Sequence, residues 1–195
     1  MTSIFDEAGK VIPITVIEAG PCTVTQVKTK ETDGYEAVQV GFGEAKKIAK
    51  PQAGHLAKLK IQNLKLKTLR EFEIGEDEAL KVGDKITVDT FNVGDMVNVS
   101  GISKGKGFAG TIKRHNFHRG PKSHGSHNYR APGSIGAGYP QHVMRGQKLP
   151  GQMGAEKVTV KNLKVITIDP DKNLIALRGA VPGPNKGILL IKGIR

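Results

Sequence analysis

The chain has 195 residues, a formal net charge of +12 and a single cysteine, Cys22. One cysteine excludes a disulfide framework and a cysteine-based zinc site within the chain, and no apolar run reaches the roughly 18 residues that predict a membrane-spanning helix. The first residues also lack the basic and apolar regions of a signal peptide.

The first 42 residues predict β-strands joined by turns. Pro13 lies in the second strand and predicts an edge position, because it has no backbone N–H to donate. Val24 and Val27 are offset by one from strict alternation, which predicts a bulge. Asp33-Gly34 is typical of a hairpin turn. Alternating β-branched and polar residues place the strands at Ile4–Asp6, Val11–Glu18, Thr23–Thr29 and Tyr35–Phe42.

Residues 43–67 form a basic connector with seven lysines. Pro51 predicts the start of a short helix that runs to about Lys60, because the residues after it are good helix formers. Two interpretations of this connector stay open. It is either a solvated, mobile linker, as runs of like charge usually are, or an additional contact with RNA.

The rest of the chain outside the middle also predicts strands. An acidic turn is expected at Gly75–Lys81 and a Gly/Pro loop at Gly179–Gly187. Many short strands at this spacing predict a mainly β fold, a small antiparallel β-barrel or sandwich. The strands are expected at Thr68–Ile74, Lys85–Asp89, Met96–Ile102, Lys157–Asp169, Leu174–Arg178 and Ile188–Ile191.

Residues 96–155, here called the acid-free window, contain no Asp or Glu. They carry nine Lys or Arg, five of the six His, four of the nine aromatic residues and twelve Gly. Cations neutralise phosphates, aromatic rings stack on bases, and glycine allows a close backbone approach. The window therefore predicts RNA binding; a membrane surface is the weaker alternative, because no apolar helical face accompanies the charge.

The predicted domains follow from this contrast. Residues 1–102 and 156–195 form a discontinuous β-barrel domain, and residues 103–155 form a long basic, Gly-rich extension with little regular structure. Structureless insertions of this length are uncommon in compact domains and are usually functional or disordered.

Several motifs in the window have competing interpretations. Gly105–Gly110 reads GKGFAG and fits GxGxxG, but no acid follows before Glu156 and no βαβ pattern surrounds it, so a tight turn close to phosphates is favoured over a dinucleotide site. Phe108–His115 predicts about two turns of helix, with Lys113 and Arg114 near its C-terminal end.

The histidines have zinc-like spacing in two pairs, His115 with His118 and His124 with His127. Zinc sites usually also draw on cysteine or carboxylates, and none is near, so contact with nucleotides is favoured. Catalysis is not expected, because general acid–base chemistry and triads need a group that orients the histidine. The aromatic rings have two open roles, fixing the loop or stacking on bases: Phe117, Tyr129 and Tyr139.

Long stretches of the chain resemble the bacterial form of ribosomal protein three of the large subunit. SKGKGFAGTIKRHNF begins at Ser103, GPKSHGSHNYRAPGSIGAG at Gly120 and GQKLPGQMGAEKVTV at Gly146. The flanking stretches IPITVIEAGPCTVTQ, KPQAGHLAK and GAVPGPNKG agree as well, so the resemblance covers nearly the whole chain.

The resemblance implies a β-barrel on the subunit surface and an extension, about Gly105–Gly154 here, that runs through ribosomal RNA towards the peptidyl transferase centre. It implies early binding that nucleates assembly, and it marks Gln152, in PGQMG, as a possible methylation site. Family members usually carry a strand with G-x-K-x-G before the Met-Thr that opens this chain, so one barrel strand is expected to be missing or trimmed. His142 stands where a basic residue is usual, and 61–67 lacks the usual proline.

The expected partners are large-subunit RNA of the 23S type and neighbouring large-subunit proteins, in a bacterial ribosome or an organellar one. No catalytic residue, metal, cofactor, small-molecule substrate or membrane is expected. The alternatives are a free-standing RNA chaperone or assembly factor, and a nucleotide-dependent enzyme that uses GxGxxG. The residues predicted to contact RNA are Lys104, Lys106, Lys113, Arg114, His115, Arg119, Lys122, His124, His127, Arg130, Arg145, Lys148 and Gln152.

Overall fold

The computed structural model describes residues 1–58, 65–73 and 80–194. Its helices are α1 (Lys30–Asp33), α2 (Lys50–Lys58) and α3 (Thr111–His115), with one turn of 3₁₀ helix at Val88–Thr90. Its strands are β1 (Thr2–Phe5), β2 (Val11–Glu18), β3 (Cys22–Lys28), β4 (Ala37–Glu44), β5 (Leu66–Phe72), β6 (Lys85–Ile86), β7 (Met96–Ile102), β8 (Phe108–Ala109), β9 (Gly151–Gln152), β10 (Lys157–Asp169), β11 (Leu174–Arg178) and β12 (Leu189–Gly193).

The strands form three sheets. The largest has the order β1-β2-β11-β10-β7-β12, the second has the order β5-β4-β3-β6, and β8 pairs with β9 alone. The strand pairs whose register is defined are antiparallel. The predicted mainly β, antiparallel fold is therefore confirmed. Each sheet of the described residues is open, so closure into a barrel stays a prediction.

The described residues fall into two compact units. The first is drawn from Met1–Val97, Asn162–Ala180 and Gly193–Arg195, and the second from Asn98–Lys161 and Val181–Lys192. The second unit thus contains the whole predicted extension together with most of β7, part of β10 and most of β12. The predicted boundaries at residues 102 and 156 stay a prediction.

The four-stranded sheet has its own apolar core within the first unit. Val24, Val38 and Val40 are buried there, and partly buried side chains including Phe72 and Ile86 pack against them. This follows from period-two alternation, which places every second residue of a strand on the same face. The predicted bulge is confirmed, because the β3–β4 register shifts between Val24 and Gln26.

Helix α2 lies within the predicted basic connector and contacts this sheet. Leu56 is buried, His55 Nε2 lies 3.0 Å from Gln39 Oε1, and the Gln52 amide donates a hydrogen bond to the Leu66 carbonyl at 3.0 Å. The predicted helix is confirmed and the described part of it is attached to the sheet. Several predictions lie outside the described residues. They are the end of this helix near Lys60, the difference from the family at 61–67 as far as residue 64, the last residue of the strand predicted to end at 74, and most of the acidic turn at 75–81.

One predicted strand is wrong over most of its length. Lys85 and Ile86 pair with β3, but Val88–Thr90 forms a 3₁₀ turn instead of continuing the strand. The Thr90 hydroxyl donates to the Thr87 carbonyl at 2.9 Å, and the Thr87 hydroxyl donates to Asp89 at 2.9 Å. Local side-chain bonds of this kind compete with a strand ladder.

The predicted edge position of Pro13 is also wrong, because β2 lies between β1 and β11. Pro13 sits one residue beyond the last β2–β11 register pair, Ile14 with Arg178. The Gly179 N–H donates to the Pro13 carbonyl at 2.9 Å, but Pro13 has no N–H to return. The hydroxyl of Thr15 donates to the Gly179 carbonyl instead, at 2.6 Å, and so satisfies the acceptor that the proline leaves open.

We therefore expect Thr15→Val to lower the free energy of unfolding by about 1–2 kcal/mol, because a partly buried carbonyl loses its donor. In a Pro13→Ala background, residue 13 again has a backbone N–H that can donate to the Gly179 carbonyl. Thr15→Val should then lower the free energy of unfolding by clearly less. Denaturant unfolding of the unaltered protein, the two single variants and the double variant measures the difference between the two effects of Thr15→Val. Equal costs in both backgrounds would show that Thr15 does not compensate for Pro13.

A second prediction concerns three side chains on β3, the β3–β4 connection and β5. Lys28 forms an ion pair with Glu71 at 2.7 Å and donates a hydrogen bond to the Tyr35 hydroxyl, which donates to Glu71 at 2.8 Å. The Lys28 ammonium, followed by the Tyr35 hydroxyl, lowers the pKa of Glu71 below its ordinary value of 4.5, and the same bonds raise the pKa of Lys28. A carboxylate with a lowered pKa stabilises the fold above its ordinary pKa and loses this effect as the pH falls through the lowered value.

Glu71→Gln should therefore lower Tm at pH 7, and the difference from the unchanged chain should shrink as the pH falls below about 4. Thermal unfolding monitored by circular dichroism between pH 3 and pH 8 measures this. Glu18→Gln is the matched control, because Glu18 is an exposed strand glutamate and should show no such trend. A Tm difference for Glu71→Gln that is constant over this range would contradict the assignment.

Candidate nucleic-acid interface

Two arms of the chain run side by side at the base of the acid-free window. We call these arms, Ser103–Ala109 and Gly151–Glu156, the stem. β8 pairs with β9 at its inner end, the Lys106 N–H donates to the Met153 carbonyl at 2.9 Å, and the Met153 N–H donates to the Gly107 carbonyl at 3.0 Å. Two residues on one arm thus face one residue on the other, which is the pattern of a β-bulge.

Glycines make the close approach of the arms possible. Gly154 has a φ of 73°, and a Cβ on it would lie 2.1 Å from the carbonyl oxygen of Lys104. Farther along, a Cβ on Gly120 would lie 2.4 Å from the Asn128 carbonyl oxygen. Glycine was expected here for close approach to RNA; at these two positions the approach is to the chain's own backbone.

Helix α3 follows the stem and is shorter than predicted. It spans Thr111–His115, whereas Phe108 and Ala109 belong to β8, because their backbone pairs with Gly151–Gln152. Asn116, with a φ of 59°, ends the helix in the left-handed conformation that glycine and asparagine favour at this position.

Arg114 and His115 contact the chain itself. Nη1 of Arg114 donates to the Leu149 carbonyl at 2.9 Å, and His115 Nε2 lies 3.1 Å from the same oxygen. Both side chains are half-buried. They hold α3 against the returning arm, and contact with RNA stays a prediction for them.

Tyr129 is the centre of a second contact. The Gly120 N–H donates to its carbonyl at 3.0 Å, Arg119 donates to its hydroxyl at 3.3 Å, and the Lys122 ammonium lies 5.7 Å from its ring centre. Tyr129 therefore fixes the loop, one of the two roles left open by the sequence. Tyr139 is 84 % exposed and free to stack.

Phe117 resembles Tyr129 in being partly covered. It is half-buried, and its ring centre lies 6.2 Å from that of His115. Sequence reasoning missed one aromatic residue as a site candidate, Phe108, which is 78 % exposed. Neighbouring residues of a strand point to opposite faces. Had Phe108–Ala109 been predicted as a strand rather than as part of a helix, a buried Ala109 would have indicated an exposed Phe108.

The other predicted residues are all exposed. The Gln152 amide makes one long hydrogen bond, 3.3 Å to the Met153 carbonyl. Two ion pairs among the described residues, Lys28–Glu71 and Lys30–Glu36, lie outside the window. Within the described ranges, no hydrogen bond or ion pair engages the side chains of Lys104, Lys106, Lys113, His124, His127, Arg130, Arg145 and Lys148.

Three features of the described residues bear on the dinucleotide, metal and membrane alternatives. Gly105–Gly110 forms an arm of the stem, and the helix that follows has only five residues, so the strand–turn–helix of a dinucleotide site is not formed there. Over the residues that the structure describes, no group of three or more His, Cys, Asp or Glu could hold a metal ion. In the same residues, no helix is both long and apolar enough to cross a membrane.

Comparison with known proteins gives the family. The family described as ribosomal protein L3 matches residues 37–174. The chain belongs to this family. The large ribosomal subunit protein uL3 of Carboxydothermus hydrogenoformans is 53 % identical over 194 residues, which cover 98 % of this chain and 92 % of the relative. The uL3 proteins of Desulfitobacterium hafniense and Heliobacterium modesticaldum are 53 % and 50 % identical, each over 98 % of this chain and 91 % of their own length.

Membership of the L3 family confirms the resemblance seen in the sequence. The family is structural rather than enzymatic, and the chain is a structural constituent of the large ribosomal subunit. These relatives are bacterial, which agrees with a bacterial-type ribosome as the location of the chain.

Lys113 and Arg114 are neighbours with different expected roles, and this difference is measurable. In the RNA-free protein, Arg114→Ala should speed amide hydrogen exchange at Lys106 and Met153, because the guanidinium no longer holds the Leu149 carbonyl next to the stem. Lys113→Ala should leave that exchange unchanged, because Lys113 is exposed and its side chain makes no hydrogen bond or ion pair with the described residues. Equal exchange in both variants would show that Arg114 does not close the stem.

Proposed function

We propose that the acid-free window binds large-subunit ribosomal RNA of the 23S type. The observation that carries this proposal is the uncompensated charge of the window. Nine Lys or Arg share sixty residues with no carboxylate. The side chains of eight of the predicted contact residues make no hydrogen bond with the described part of the chain. Such a surface attracts a polyanion, since its Lys and Arg side chains neutralise phosphates and release the counterions that are condensed on the nucleic acid.

The charged and the neutral-capable side chains of the window contact different parts of the RNA in this proposal: Lys and Arg contact phosphates, and His and Gln contact sugars and bases. Lys104, Lys106, Lys113 and Lys148 act as point charges towards phosphates, whereas Arg130 and Arg145 present the planar fork that matches a phosphate with two bonds. His124, His127 and Gln152 read sugar hydroxyls and base edges, because each offers donors or acceptors without a fixed charge.

The place of the chain in the subunit rests on the family resemblance. We propose that the extension, about Gly105–Gly154, runs through ribosomal RNA towards the peptidyl transferase centre, and that the protein binds early and helps to nucleate the subunit. Neighbouring large-subunit proteins are then its other partners. Gln152, whose side chain is exposed, is the proposed site of methylation.

RNA binding of this kind should depend steeply on salt. A plot of log affinity against log salt for 23S-type RNA should fall with a slope of about −0.7 to −0.9 per neutralised phosphate. Arg130→Gln, Arg145→Gln and Lys148→Gln should each lower the magnitude of this slope by about one. Lys10→Gln is the control, because Lys10 is an exposed lysine outside the window, and it should leave the slope unchanged. A nearly flat plot for the unaltered chain would refute phosphate-dominated binding.

Co-sedimentation separates a ribosomal constituent from a transient assembly factor or chaperone. A constituent stays with large subunits after a high-salt wash at one copy per subunit. A factor leaves under the same wash, and that result would favour the alternative even if RNA binding is strong.

A further inference from the structure

The two strands of the stem, β8 and β9, form a ribbon with one covered face and one open face. On one face lie Ala109, which is 3 % exposed, and Gly151. On the other face Phe108 stands directly opposite Gln152. Side chains of an opposite pair lie on the same face of an antiparallel ribbon. Small residues therefore fill the covered face, and the large aromatic ring is on the open one.

The first face is covered by the chain itself, whereas the second is open. The Arg114 guanidinium lies so close to Gly151 that a Cβ there would be 2.6 Å from Nη1. Thr111, at the start of α3, is 2 % exposed. This face is thus occupied by α3, and the chain has no described residue that covers Phe108, which stays 78 % exposed.

We infer that Phe108 and Gln152 together bind one unpaired base of the ribosomal RNA, an inference that rests on the proposed function. The ring of Phe108 provides a flat apolar surface for stacking, which needs a base face that is not already stacked in a helix. The Gln152 amide stands beside it with a donor and an acceptor for the edge of that base. Lys106, exposed two residues before Phe108, supplies the positive charge for the adjoining phosphate.

This site differs from the rest of the interface in the physical nature of its contribution. Stacking on a phenyl ring releases no counterion, so it adds affinity that does not depend on salt, whereas each phosphate contact adds to the salt slope. The two contributions can therefore be separated in one set of titrations, with the full-length chain and in vitro transcribed 23S-type RNA.

Phe108→Ala should weaken RNA binding about ten-fold or more at every salt concentration, as expected for one lost stacking contact, and should leave the salt slope unchanged. Phe108→Tyr keeps the ring and should bind nearly as tightly as the unaltered chain. Lys106→Gln should lower the magnitude of the slope by about one. Phe5→Ala is the matched control, because Phe5 is 72 % exposed, also on a strand, and outside the window; its affinity should not change.

Chemical probing of the RNA locates the base. With the unaltered chain, one nucleobase should be protected from a base-specific reagent, and Phe108→Ala and Gln152→Ala should both restore its reactivity. Circular dichroism at each titration temperature shows whether Phe108→Ala remains folded.

Three results would overturn the inference while leaving the proposed function intact. They are an unchanged affinity for Phe108→Ala, an equal loss for Phe108→Tyr, or a loss that is accompanied by a smaller salt slope. Failure of the unaltered chain to bind the RNA at all would instead overturn the proposed function.

Discussion

The absence of carboxylates determines how the acid-free window is held together. Nine positive charges repel one another, and within the window no side chain can accept an ion pair from them. Backbone carbonyls take this role instead: Arg114 and His115 converge on the oxygen of Leu149. A charge-assisted bond to a neutral carbonyl orders the chain and leaves the positive charge in place for a polyanion.

The first unit uses the opposite solution. There, carboxylates close turns and pair with cations: Asp6 accepts from the Lys10 N–H at 2.7 Å, Asp84 from the Lys81 N–H at 2.8 Å, and Glu71 pairs with Lys28. Local charges are balanced by local partners, as in most folded domains. The contrast between the first unit and the acid-free window is therefore one of electrostatics as well as of composition. It separates the part of the chain whose charges are paired within the chain from the part for which we propose an RNA partner.

Much of the fold could be predicted from alternation alone. β2, β7, β10 and β11 have the predicted bounds, because runs of strand-forming residues between turn signals are a local property of the sequence. The strand predicted at Lys85–Asp89 failed because local side-chain bonds form a 3₁₀ turn there, whereas the position of Pro13 depends on a partner that is distant in sequence. The donor that lets Pro13 sit inside a sheet is the hydroxyl of Thr15, which acts on Gly179, 164 residues from Thr15.

The candidate site likewise has features that the sequence alone predicts and features that depend on residues distant in sequence. Charge, glycine content and motif likeness are enough to select the segment proposed as the interface, because they can be read from the sequence alone. They could not distinguish the exposed cations from Arg114, whose acceptor lies 35 residues away. Nor could they show Phe108 as exposed, because its strand has two residues and exists only by pairing with Gly151–Gln152.

The loop that Gly120 and Tyr129 close has a consequence for the tolerance of this chain to changes in length. The chain meets itself at that neck, through the 3.0 Å bond from the Gly120 N–H to the Tyr129 carbonyl, so the residues between form a lobe with fixed ends. Insertions and deletions inside such a lobe leave the entry and exit points where they were. A longer or shorter lobe is thus compatible with an unchanged path of the segments on either side.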